Sequence, residues 1–170
     1  MKLDYFTYEL DTLPMLDFTE IDDSDPLHIN EFYKNDLDKY SKNNLSKVWI
    51  VKKYGSSEIV AYFTISMSAI ELSKLNQDDE KVKGTTPKKY PSMMIGRMGV
   101  VKQYRRKCIG TDMCNFIRGL AIELGKKVAC RYLILQTNQD VNKIKFYKDC
   151  GFIQSNTNSG GLIWMYSRIL

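Results

Sequence analysis

Gly99-Val-Val-Lys-Gln-Tyr-Arg-Arg-Lys-Cys-Ile-Gly-Thr111 is the stretch on which the reading of this chain turns. It begins at the end of an apolar, strand-like run over residues 93–101. It then crosses a basic turn and enters a segment where Ile109, Met113, Phe116, Leu120 and Leu124 recur at helical spacing. The first backbone N–H groups of such a helix have no internal partners and lie at the positive end of its dipole. An anion such as a pyrophosphate fits there, with Arg105, Arg106 and Lys107 adding charge and Gly110 allowing close backbone approach. The competing reading is an exposed basic turn. No Gly-Lys-Ser/Thr follows, as a P-loop requires, and Gly110 alone cannot make a dinucleotide fingerprint.

Upstream of this stretch, residues 3–8 read as a first strand, followed by an acidic loop around Asp22, Asp23 and Asp25. Asp25-Pro26 opens a helix predicted to reach about Asn43, with Asp25 as N-cap and Pro26 at the first helical position. Ile29, Phe32, Tyr33, Leu37 and Tyr40 form its apolar face. Strands over 47–54 and 58–67 flank the turn Gly55-Ser56-Ser57 and make a hairpin. Residues 72–89 are polar, include Gly84 and Pro87, and read as a long mobile loop of a kind that is often functional. Downstream come a helix over 109–127, a buried strand over 132–137 and a short helix over 141–149 that Gly151 ends. Strands over 152–154 and 162–167 close the chain. This order, without internal repeats, predicts an α/β sandwich with a mixed sheet in a single domain over 1–170.

Composition sets the outer bounds. A chain of 170 residues that is 44% hydrophobic can bury about 70% of its unfolded surface, which excludes a disordered or low-complexity protein. No apolar run approaches the ~20 residues that span a bilayer, and the acidic start predicts no export signal. Cys108, Cys114, Cys130 and Cys150 lack paired spacing, and the single histidine is His28, so free thiols in a reducing cytoplasm are expected and no metal. The net charge of +5 hides an asymmetry: residues 1–80 carry 8 Lys/Arg against 16 Asp/Glu, and residues 81–131 carry 13 against 2. Such a cationic segment suits a phosphorylated cofactor or a nucleic acid.

Arg105-Arg106-Lys107-Cys108-Ile109-Gly110 resembles the Arg/Gln-x-x-Gly-x-Gly/Ala signature of the GNAT family of N-acetyltransferases, with Cys108 where the first glycine is expected. Phe146-Tyr147-Lys148-Asp149-Cys150-Gly151-Phe152 resembles the family's second signature, an aromatic-Tyr-x-x-x-Gly-Phe ending. The stretch Glu58-Ile-Val-Ala-Tyr-Phe-Thr-Ile-Ser66, with Tyr90-Pro91 and Ile95-Gly96-Arg97-Met98-Gly99-Val100, is similar to the subset of the family that serves as toxins in bacterial toxin–antitoxin pairs.

The resemblance implies a three-layer α/β/α sandwich with a mixed, splayed central sheet, and acetyl-coenzyme A as cosubstrate. Met98 and Val100, around Gly99, would offer backbone hydrogen bonds to the pantetheine arm. The backbone of Arg105, Arg106, Lys107, Cys108, Ile109, Gly110 and Thr111 would cradle the pyrophosphate. Asn138 and Asn142 would lie near the cofactor, with N-capping of the short helix as the competing role for Asn138, Asp140 and Asn142. Tyr147 would be the general acid that protonates the leaving thiolate. A cysteine at the glycine position costs roughly 1–2 kcal/mol if positive φ is needed there. If only close approach is needed, the cost falls on cofactor affinity instead. No general base is assigned, although Glu58 and Glu71 stand near strand ends, and Trp164 and Tyr166 are expected to be core residues. The implied acceptor is a primary amine, with the α-amine of an aminoacyl-tRNA foremost. Lys81, Lys83, Lys88 and Lys89 are the expected phosphate contacts, because their loop lies between the hairpin and the strand that leads to the basic turn. An antitoxin protein and a homodimer are the implied partners, and no membrane. Two alternatives stay open: a small-amine or protein N-terminal acetyltransferase, and a non-catalytic module that binds coenzyme A or RNA.

Overall fold

The computed structural model describes residues 1–9, 12–76, 80–85 and 87–169. Among these, the strands are β1 (Leu3–Thr7), β2 (Lys47–Lys53), β3 (Ile59–Glu71), β4 (Lys89–Val100), β5 (Tyr132–Asn138), β6 (Ile153–Ser159) and β7 (Leu162–Arg168). They form one mixed, open sheet of order β1-β2-β3-β4-β5-β7-β6. The helices are α1 (Ile29–Asn35), α2 (Leu37–Lys42), α3 (Ile109–Gly125) and α4 (Val141–Asp149). This is the α/β sandwich that the element order predicts. The chain divides into two compact units, Met1–Ser66 with Ile95–Met113, and Met67–Met94 with Cys114–Leu170.

In the first unit β1 pairs antiparallel with β2, and β2 with β3, so that Ile50 lies opposite Tyr62. The core gathers Phe18, Phe32, Tyr33, Leu37, Val48, Ile50 and Tyr62. The predicted helix from Pro26 is instead two short ones. Asp25 does cap, but from further away: its carboxylate accepts the N–H groups of Ile29 and Glu31 at 2.8 and 2.9 Å, across a turn in which His28 is left-handed with φ 52°. The helix therefore starts at Ile29, and it breaks at Asp36, whose φ of −125° is not helical. Tyr40, placed on the apolar face by periodicity, lies beyond the break and is exposed.

In the second unit β5 and β7 pair antiparallel without a shift, from Tyr132 opposite Arg168 to Asn138 opposite Leu162. Ile70, Leu75, Tyr90, Tyr132, Ile134 and Tyr166 form its core, and Trp164 packs against them, as expected for Tyr166 and Trp164. The loop after β3 is more firmly tied than its polar sequence predicts. It begins with a 3₁₀ turn over Leu72–Lys74, and Glu80 is buried while accepting hydrogen bonds from the Tyr132 hydroxyl at 2.5 Å and the Arg168 guanidinium at 2.7 Å. The Asn76 N–H donates to the Tyr166 hydroxyl at 3.1 Å. Residues 77–79 and 86 of that stretch lie outside the described residues. A buried carboxylate needs such partners, and only strands distant in sequence supply them.

Candidate active site

The run-in to the basic turn is shaped by a missing side chain. A Cβ on Gly99 would come within 2.6 Å of Ile29 and 3.0 Å of both Phe18 and Tyr62. Gly99 therefore faces the core of its own unit, and its need for glycine is explained by packing. Alternation along β4 turns half-buried Met98 and Val100 to the opposite face. Two residues earlier, the Arg97 N–H donates to the Thr64 hydroxyl at 2.9 Å.

After β4 a 3₁₀ turn over Lys102–Tyr104 leads to Arg105, and two residues of the following turn are left-handed: Arg106 with φ 59° and Cys108 with φ 60°. The exposed Cys108 thus occupies a glycine-like conformation, so the departure from the family pattern carries backbone strain of roughly 1–2 kcal/mol. Among the described residues, no acceptor is found for the backbone N–H of Arg106, Lys107, Cys108, Ile109, Gly110 or Thr111, and the helical ladder starts with Asp112 N–H donating to the Cys108 carbonyl at 3.1 Å. Six successive amides without acceptors at a helix start, in a turn with two left-handed residues, form a donor set of the kind that suits an anion.

The acidic loop of residues 17–25 braces this turn. Arg105 forms an ion pair with Glu20 and donates to the Phe18 carbonyl at 2.9 Å. Lys102 pairs with Asp23, and its N–H donates to the Asp17 carbonyl at 2.9 Å. The sequence reading offered the Arg105 side chain to an anion, whereas the structure engages it with Glu20. Among the described residues, Arg106 and Lys107 have no ion pair, and the Lys107 ammonium sits 5.0 Å above the Tyr104 ring. The acidity of residues 17–25 marks this brace in the sequence, but its target lies some 80 positions away. Glu58 accepts a hydrogen bond from Tyr104, and Glu71 lies 3.8 Å from Lys89, so both carboxylates near strand ends are engaged.

In the second unit, α4 is capped at both ends. Asp140 accepts the N–H groups of Asn142 and Lys143 at 2.8 and 3.1 Å and is the N-cap. At the other end Phe152 N–H donates to the Tyr147 carbonyl at 3.0 Å and Gly151 N–H to the Lys148 carbonyl at 2.9 Å, with Gly151 at φ 84°. These two bonds form a Schellman motif, in which the residue after the glycine packs on the residue five positions before it. Here that pair is Tyr147 and Phe152, with ring centroids 5.8 Å apart. The Tyr-x-x-x-Gly-Phe pattern is therefore a helix ending that fixes the tyrosine ring.

Burial pushes the Tyr147 hydroxyl well above the ordinary phenol range, with the neighbouring Cys114 and Cys150 thiols adding to the effect. The Cys114 thiol is itself held above the usual thiol range, first by its hydrogen bond with Cys150 and then by burial. Arg118, one turn along α3 from Cys114, donates to the Cys150 carbonyl at 2.9 Å and to the Ser167 hydroxyl at 2.7 Å. The buried stripe of α3 is Ile109, Met113, Cys114, Ile117 and Ala121, whereas Phe116, Leu120 and Leu124, counted on the core face from periodicity, are half-buried. Asn138 ends β5 half-buried, and its Oδ1 is buried without a partner among the described residues. Asn142 is exposed.

The amide turn before α3 and the tyrosine fixed at the end of α4 coincide with the two segments that resemble the family signatures. The chain belongs to the acetyltransferase (GNAT) family, whose model matches residues 7–152. Its fold is shared by a bacterial toxin at 20% identity, covering 99% of this chain and 91% of that one with a TM-score of 0.80. AtaT, solved in complex with acetyl-methionyl-tRNA, matches at 16% identity over 96% of this chain and 94% of its own, with a TM-score of 0.76. A tyrosine-to-phenylalanine mutant of KacT matches at 17% over 96% and 94%, also with a TM-score of 0.76. No curated protein sequence matches the chain at a significant level. Among the described residues, no helix is long and apolar enough to cross a membrane.

Proposed function

We propose that this acetyltransferase moves the acetyl group of acetyl-coenzyme A to the α-amine of an aminoacyl-tRNA, in the cytoplasm, as the toxin of a toxin–antitoxin pair. The observation that carries the reading is the run of six N–H groups from Arg106 to Thr111 with no acceptor among the described residues. A diphosphate meets that donor set, and the exposed side chains of Arg106 and Lys107 supply further positive charge. The orphaned Asn138 Oδ1 suits an amide N–H of the pantetheine arm, and the face of Met98 and Val100 suits the same arm. Support for the acceptor comes from the 13 cations against 2 acids over residues 81–131 and from the shared fold with AtaT, which is solved with acetyl-methionyl-tRNA.

In this proposal the bound cosubstrate supplies a thioester carbonyl. The amine lone pair forms the new C–N bond as the C–S bond breaks. The departing thiolate would take the Tyr147 hydroxyl proton, the nitrogen would release its extra proton to water, and the Tyr147 phenoxide would regain a proton from water. Tyr147 suits that task because burial keeps it protonated throughout the neutral range. An α-amine, partly neutral near pH 8, needs no dedicated base.

The test compares acetylation of charged tRNA with that of free amino-acid esters at two salt concentrations. Phosphate contacts release counterions, so the tRNA reaction should weaken steeply with salt while the ester reaction stays flat. Equal, salt-insensitive rates on both acceptors would leave a small-amine acetyltransferase in its place.

A further inference from the structure

Within the second unit, a cavity of about 510 Å³ is lined by Glu71, Leu72, Lys81, Pro87, Lys88 and Lys89, among others. That volume lies within the roughly 300–1,000 Å³ of small-ligand sites. We infer that this cavity is a subsite for one unpaired nucleotide of an RNA acceptor, with its phosphate on Lys81 and Lys88 and its base against Leu72 and Pro87. The inference rests on the aminoacyl-tRNA reading and adds the place where single-stranded RNA is held.

Among the described residues, the charges around the cavity are only partly neutralised. Lys89 lies 3.8 Å from Glu71, whereas among the described residues Lys81 and Lys88 have no carboxylate partner. Two cations are left over, which suits one phosphate. The walls are built into the fold. Tyr90 is buried, its hydroxyl accepts the Val82 N–H at 3.4 Å, and its ring meets Tyr132 edge-on at 5.9 Å. The Leu72 N–H donates to the Lys88 carbonyl at 2.9 Å, tying the two sides of the cavity together.

Charge alone would serve an acidic peptide equally well, but two further features favour a nucleotide. Leu72 and Pro87 offer apolar surface to the flat face of a base. The Glu71 carboxylate offers an acceptor that an exocyclic base amine can use and that a peptide carboxylate cannot. A base stacked in a duplex cannot enter such a cavity, so the occupant is unpaired.

The test uses the full chain and a fluorescein-labelled single-stranded RNA hexamer, with binding followed by anisotropy at several salt concentrations. Three variants are compared with the wild type. The pair Lys81→Gln and Lys88→Gln should weaken binding and flatten the salt slope by about 0.7, the change for one phosphate contact on a single strand. Ser73→Trp, an exposed position on the rim, keeps every lysine but fills the space, and should weaken binding of the hexamer. Lys39→Gln, an exposed position on α2 outside the cavity lining, should leave binding nearly unchanged. Acetylation of a free amino-acid ester should be the same in all four proteins, which also controls for folding.

Equal hexamer affinity in wild type and Ser73→Trp would overturn the subsite and leave only diffuse cationic attraction. Displacement of the hexamer by polyglutamate but not by unlabelled single-stranded RNA would overturn it in favour of an acidic peptide. If charged tRNA is acetylated by the wild type and unaffected in all variants, the subsite fails while the acceptor reading stands. If charged tRNA is not acetylated yet the hexamer responds as expected, the acceptor reading fails and the cavity stands as an RNA site.

Discussion

Left-handed backbone occurs both in the turn before α3 and at the end of α4, but the two places achieve it by opposite means. At the end of α4 the residue is Gly151, which adopts φ 84° at no steric cost, and hydrogen bonds within six residues complete the geometry. Before α3 the residues are Arg106 and Cys108, which carry side chains in the same left-handed region. The contacts of Arg105 with Glu20 and Phe18, and of Lys102 with Asp17 and Asp23, instead pin the start of that turn from more than 75 positions away. The tyrosine end is locally determined and relaxed, whereas the amide cradle is strained and held by tertiary contacts.

The sharpest break in this contrast concerns the chemistry assigned to the relaxed end. Tyr147→Phe keeps the ring on Phe152 and removes only the acid, so acetyl-coenzyme A should still raise Tm while kcat falls roughly 10²–10⁴-fold. Because burial raises the folded pKa, the wild-type hydroxyl stays protonated beyond its ordinary ~10, and no alkaline fall in rate below that pH should come from Tyr147. A descending limb near pH 8 that vanishes in the phenylalanine variant would contradict the assignment.

Gly151→Ala imports into the relaxed end the strain that the cradle already carries. Its Cβ would sit 3.3 Å from the Arg118 guanidinium, and the left-handed conformation costs about 1–2 kcal/mol. Calorimetry should show Tm lowered by about 2–8 °C at this chain length. An unchanged Tm would mean that the helix ending is not set by glycine.

Cys108→Gly is the converse experiment. Releasing about 1–2 kcal/mol of strain is partly cancelled by the ~0.5–1 kcal/mol of unfolded-state freedom that glycine adds. Stability should therefore rise slightly, by under about 1.5 kcal/mol in denaturant titrations, with acetyl-coenzyme A affinity equal or better. A loss of stability would show that the cysteine side chain contributes something the strain argument omits.

The smallest effect is expected from Glu20→Gln, which leaves Arg105 its bond to the Phe18 carbonyl. Half-exposed ion pairs contribute under about 1 kcal/mol, so the fold should survive while acetyl-coenzyme A affinity drops a few-fold. Combined with Cys108→Gly, the same substitution should matter less, because a relaxed turn needs less bracing. Strict additivity in calorimetric titrations would separate the brace from the strained turn.

Much of the fold is legible in the chain because it rests on short-range rules. Strand runs, the hairpin turn at Gly55, the start of α3 at Ile109 and the ending of α4 at Gly151 each depend on residues within a few positions of one another. The basic turn and Tyr147 could be singled out for the same reason. What sequence missed depends on partners far along the chain. Asp25 caps a helix whose start is delayed by a left-handed His28, Glu80 is drawn inside by Tyr132 and Arg168, and the α3 stripe rotates toward small Cys114 and Ala121 where the chain packs closely. Local hydrogen bonding and side-chain periodicity are written in consecutive residues, so the sequence by itself determined most strands, the starts and ends of α3 and α4 and both signature segments. The engagement of Arg105 with Glu20, the core-facing role of Gly99 and the strain at Cys108 were decided only by tertiary structure, because each depends on atoms that folding alone brings together.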